Sequence, residues 1–116
     1  MQVFHIWVNL KAGVRDMEFV DAVHAYLGPM ATAGKLQSYR ITRRMLGLGH
    51  EDLRDFDIMV EFRDLAQFDG LFGEVASRSD PVESLHHAVN SRVSGFRSAL
   101  YRDFPDESRR TGEEKF

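Results

Sequence analysis

At 116 residues with 43% apolar side chains, the chain has the length of one domain with a single modest core. Fifteen basic residues against 18 acidic ones leave a formal charge of −3, which argues against a general nucleic-acid binder. The absence of cysteine excludes disulfides, thiolate nucleophiles and cysteine metal cages.

The N-terminus lacks a basic segment leading into a long apolar one, so no signal peptide is expected. Alternation instead begins at once and predicts a first strand over Gln2–Leu10. Phe4, Ile6, Val8 and Leu10 share one face, and Val3, His5, Trp7 and Asn9 the other. Asp16 reads as the N-cap of an amphipathic helix carrying Phe19, Val20, Val23, Tyr26, Leu27 and Met30, which Pro29 should end or kink near Gly28. A second strand is expected from Leu36 to about Leu46, then a glycine-rich loop to Arg54. The third strand has the clearest pattern, with Phe56, Ile58, Val60 and Phe62 opposed by Asp55, Asp57, Met59 and Glu61.

Asp64 should cap a helix carrying Leu65, Phe68, Leu71, Phe72 and Val75. Asp80-Pro81 opens a short helix with proline at its favoured first position and Val82, Leu85, Val89 and Val93 buried. The last strand is expected over Phe96 to Phe104, after Gly95. Residues 105–116 are proline-led, charged and small, and read as a disordered tail behind a single domain of residues 1–104. No apolar run reaches membrane-spanning length, so a cytoplasmic protein without membrane contact is expected.

The order β-α-β-β-α-β, its last helical segment in two pieces, predicts an α+β, ferredoxin-like fold with helices on one face of an antiparallel sheet. An exposed Trp7 on the other face would be unusual, so a symmetric homodimer packing sheet on sheet is expected. The run Val3-Phe4-His5-Ile6-Trp7-Val8-Asn9-Leu10 resembles the first strand of the dimeric α/β-barrel group that includes the stress-responsive A/B-barrel proteins. Leu85-His86-His87-Ala88-Val89-Asn90 adds to the likeness. The resemblance implies a dimeric barrel, with a small-molecule-binding or stress-associated role, and names no substrate.

His86 and His87 are the candidate bases, since an imidazole titrates near neutrality. Adjacent helical positions point about 100° apart, so the pair does not chelate one metal, and neither a metal nor another cofactor is expected. A zinc site would need His5, one of these histidines and Glu61 or Asp57 to converge. His5, Trp7, Asn9, Arg40, Asp57 and Glu61 are candidate pocket residues if their face meets the helices, and a polar dimer interface if it does not. In a pocket, a histidine or carboxylate would move a proton while Asn9 and Arg40 hold an oxyanion. The expected ligand is small and apolar or aromatic.

The resemblance also reaches haem-degrading enzymes, which pair a first-strand Asn and a helical His with a Trp on a later strand. Asn9 and His86 or His87 fit two roles, but Trp7, the only Trp, lies on strand one. Three functions follow: a homodimeric binder, a cofactor-independent monooxygenase or isomerase, or a purely structural assembly.

Overall fold

A computed structural model describes residues 1–106. The elements run β1 (Gln2–Leu10), α1 (Asp16–Thr32), β2 (Ser38–Arg43), β3 (Phe56–Phe62), α2 (Leu65–Ala76), α3 (Val82–Asn90) and β4 (Val93–Arg102). The strands form one antiparallel sheet in the order β2-β3-β1-β4, the ferredoxin-like arrangement. Most of the segment expected to be a tail lies outside the described residues. No helix among those described is long and apolar enough to cross a membrane.

The apolar rows decide which face the helices take. Phe56, Ile58, Val60 and Phe62 are each at most 6% exposed, and Phe4, Ile6 and Val8 pair with Val60, Ile58 and Phe56 on the same face. Burying such rows is the main favourable term in packing a sheet against helices. Phe19, Val23, Leu27 and Met30 form the buried stripe of α1 at spacings of four, four and three residues. Phe4, Phe62, Phe68 and Phe72 join edge to face, or stacked, at centroid distances of 4.3 to 5.5 Å, and so dock α2. The sheet therefore separates His5, Trp7 and Asn9 from the helices, and the reversed arrangement does not occur.

Several boundaries differ from expectation. Helix α1 runs through Pro29 to Thr32, and Thr32 Oγ1 donates to the Gly28 carbonyl at 3.2 Å. Proline removes the bond to the Ala25 carbonyl, but Ala25 is exposed and water can serve it there. Asp16 is the first helical residue rather than the cap, and its carboxylate accepts from the Met17 N–H at 2.7 Å. Pro81 is the N-cap of α3 rather than its first helical residue, so the helix begins one residue later than expected. Strand β2 is shorter than expected, Ser38–Arg43, although the flanking Gln37 and Arg44 N–H groups still donate to the Glu61 and Asp55 carbonyls at 2.9 and 2.7 Å.

Asp64 does cap α2. Its carboxylate accepts from the Gln67 N–H at 2.8 Å, and Gln67 Oε1 accepts from the Arg63 N–H at 2.7 Å. The Gln67 backbone bond holds the Asp64 carboxyl below the usual carboxylate range, with Arg63 assisting.

Strand β4 begins at Val93, before Gly95, because Gly95 lies within the strand at a bulge. Trp7 opposes Arg97 while Asn9 opposes Ser94, so Val8 faces both Gly95 and Phe96. Gly95 takes φ +65°, and Arg54 Nε donates to its carbonyl at 2.7 Å. The extra residue reverses the alternation along β4. Val93 and Phe96 consequently point to the same, helix-facing side.

Candidate functional site

A cavity of about 180 Å³ lies between the sheet and the helices. Its floor is Phe4, Ile6 and Val8 of β1 with Ile58, Val60 and Phe62 of β3. Val23, Tyr26 and Leu27 of α1, Leu71, Phe72 and Val75 of α2 and His86, Val89 and Asn90 of α3 form the walls, and Val93 and Phe96 complete the rim. The rim is open on the β4 side, where Phe72, Phe96 and Leu100 are exposed.

Only Tyr26, His86 and Asn90 bring polar side chains to this lining. His86 and Asn90 stand one helical turn apart on α3 and so share a face. Tyr26 meets them from α1, its ring centroid 5.5 Å from that of His86 at 54°. Burial pushes the Tyr26 phenol up to about 12, and the charges of Glu74 and Glu83 add to the rise. Tyr26 is therefore a protonated donor at neutral pH and not a base. Arg92 holds α3 near α1, its guanidinium donating to the Ala88 carbonyl at 2.6 Å and lying 3.5 Å from Glu18.

The sequence candidates divide between the two faces. His86 reaches the cavity, whereas His87, about 100° round the helix, is exposed. His5, Trp7 and Asp57 come together on the open sheet face. His5 Nδ1 lies 3.0 Å from Asp57 Oδ2, the His5 ring stacks on Trp7 at 5.2 Å, and Tyr101 meets it edge-on at 5.4 Å. Asn9 Oδ1 accepts from the Asp55 N–H at 2.9 Å, so it anchors the entry to β3. Glu61 accepts from Ser38 Oγ at 3.1 Å. Arg40 is exposed, beside a shallow groove between β2 and α1 that also holds His24, whose Nδ1 lies 2.6 Å from Tyr39 Oη.

Because the sheet stands between the two groups, His86 and His87 do not converge with His5, Asp57 or Glu61. Among the described residues no three His, Asp or Glu side chains are placed to hold a metal ion. Asn9 and Arg40 likewise do not share a pocket with His86.

Sequence reasoning passed over Tyr26, which reads as a core position at helical spacing. It also passed over Asn90, although the spacing of His86 and Asn90 was a usable signal once hydrogen bonding as well as metal binding was considered. Phe96 was hidden by the bulge, which simple alternation does not foresee.

Comparison with solved structures places the chain among ferredoxin-like proteins. A protein of Arabidopsis thaliana superposes with a TM-score of 0.72 at 6% identity, over 92% of this chain and 99% of that one. A dimeric ferredoxin-like protein of unknown function from Jannaschia gives 0.66 at 11% identity, over 89% and 100%. The hydroxynitrile lyase of Passiflora edulis gives 0.64 at 17% identity, over 90% and 97%. At these identities the likeness is one of fold. No curated protein sequence matches. The family model named DUF6614 matches residues 1–116, and the chain belongs to that family of unknown function.

Proposed function

We propose that this chain is a homodimeric protein that binds a small apolar or aromatic molecule between its sheet and its helices. The observation that carries the reading is the cavity of about 180 Å³, walled by apolar side chains apart from one polar cluster. An apolar cavity of about 150 Å³ in a protein core stays dry and binds benzene, so a substituted aromatic ring is a fitting occupant. Unfilled, such a volume forfeits contacts and destabilises the fold, by up to about 4 kcal/mol if fully enclosed.

The homodimer is supported by the open sheet face. Val3, Trp7, Met59 and Ala99 alternate there with Arg40, Arg97, Asp57 and Glu61, a mixture that a two-fold axis can pair with itself. The Jannaschia relative is a dimer. A stress-associated role rests on the likeness of the Val3–Leu10 and Leu85–Asn90 runs, and a cytoplasmic setting on the lack of a signal-peptide pattern and of an apolar run of membrane-spanning length.

Sedimentation equilibrium and calorimetric titration with toluene test the reading. The expected result is a dimer taking one toluene per subunit, and a Val89→Phe protein that remains dimeric but takes none. Toluene uptake unaffected by Val89→Phe would put the ligand elsewhere and sink the cavity reading. A monomer at high concentration would sink the interface.

A second reading makes the same cavity the site of proton transfer, with His86 as base, because its ring is the one imidazole bordering the cavity. The relative from Passiflora edulis is an enzyme on this fold. Wild-type protein that exchanges the α-hydrogens of an enolisable ketone for deuterium faster than His86→Phe would support catalysis. Equal rates would leave binding alone.

A further inference from the structure

We infer that the cavity's ligand carries a single neutral hydrogen-bond acceptor, a ketone or aldehyde oxygen on an aromatic or alicyclic body, directed at Tyr26, His86 and Asn90. The inference rests on the cavity reading and goes beyond it by fixing the ligand's polarity and orientation.

The floor and the α2 wall offer no polar side chain, so an apolar body belongs there. The polar groups of the lining are confined to the side where α1 faces α3. Tyr26 and His86 are half-buried and Asn90 is exposed, and none of the three spends its side chain on a hydrogen bond among the described residues. A ligand that displaces water from these groups must replace the hydrogen bonds it removes, so it needs a polar atom at this side. Each group offers a donor, a phenol O–H, an amide NH₂ and one imidazole N–H, and a single carbonyl oxygen with two lone pairs can accept from more than one of them.

The acceptor is also uncharged. The Glu74 and Glu83 carboxylates stand near this end of the cavity, and their charges add to the rise in the Tyr26 pKa that burial begins. A carboxylate or phosphate placed there meets the same repulsion. Lys35 pairs with Glu74 at 2.6 Å, yet Glu74 still adds to the rise at Tyr26.

Acetophenone, α-methylstyrene and benzoate test the inference, because the first two share a shape and differ in replacing a carbonyl oxygen by a CH₂ group. Their affinities for the wild-type protein and for Tyr26→Phe are measured by ligand-observed NMR. The expected result is that Tyr26→Phe weakens acetophenone about tenfold, leaves α-methylstyrene within about twofold, and that benzoate binds either protein poorly. Equal effects of Tyr26→Phe on the two isosteres, or none on either, would overturn the acceptor and leave the apolar cavity standing. Benzoate binding better than acetophenone would overturn the neutral class. Failure of both neutral probes to bind the wild-type protein would remove the cavity reading and this inference together. Should Tyr26→Phe fold poorly, Asn90→Leu gives the same comparison from the other helix.

Discussion

His5 and Asp57 are joined diagonally across β1 and β3, His5 Nδ1 lying 3.0 Å from Asp57 Oδ2 on the face that the helices leave open. The bond sets which imidazole nitrogen carries the proton, since a carboxylate only accepts. Both side chains are about four-fifths covered within one subunit, at 19% and 21% exposure. The pair therefore orders the face before any partner arrives. Asp57→Ala, His5→Phe and the double variant should show a coupling of about 1 kcal/mol in urea unfolding at neutral pH. Strict additivity would mean that the bond does not persist in solution.

Trp7 lies flat against His5, so its ring is presented in one orientation. Aromatic anchors of this kind dominate interfaces when a partner desolvates them. Trp7→Ala should weaken the proposed dimer by about 2 to 4 kcal/mol, read as a shift in the dissociation constant by sedimentation equilibrium, while far-ultraviolet circular dichroism stays unchanged. An unaltered dissociation constant would move the interface off this face.

Gly95 allows the bulge that brings Phe96 round to the cavity rim. A Cβ there would lie 2.7 Å from Arg54 Nε, and φ is +65°. Gly95→Ala should cost roughly 1 to 2 kcal/mol from the backbone conformation alone, and it should also displace Arg54 from the Gly95 carbonyl. Chemical denaturation measures the loss, and Gly70→Ala, at a helical site with open space around it, is the control that should not show it.

Tyr26 predicts an alkaline signature. Its folded pKa is raised to about 12 from the ordinary 10.0 of a phenol, so the unfolded chain releases this proton first as pH rises. The contribution to stability is complete below about pH 10 and is lost between there and about pH 12. Across that window the wild-type protein should lose more stability than Tyr26→Phe, as measured by urea midpoints. Parallel curves would mean that the phenol is not shielded as described.

Much of the fold was legible because simple periodicities govern it. The Phe56–Phe62 row and the Phe19, Val23, Leu27 stripe are one-face patterns whose burial nothing else contests. The Asp64 cap was legible for a local reason, since the bond spans only three residues. Pro29 misled because a missing hydrogen bond near an exposed helix end is tolerated when water reaches the carbonyl. The cavity was harder to foresee. His86 was singled out by its chemistry, but its partners Tyr26 and Asn90 depend on how α1 and α3 pack, a tertiary relation with no local pattern. His5, Asp57 and Trp7 were rightly grouped by strand parity, yet parity does not say which face a helix will cover. The contrast in apolarity between the two rows of β3 does.

The most direct test of the central claim is methyl NMR of the isotope-labelled protein titrated with benzene. Binding in the cavity predicts saturable shifts confined to methyls that line it, those of Val23, Leu27, Ile58, Val60, Leu71 and Val89 among them, with the Val3 methyls on the opposite face unmoved. Absence of saturable shifts at those methyls, or shifts centred on Val3 and the open face, would contradict the account.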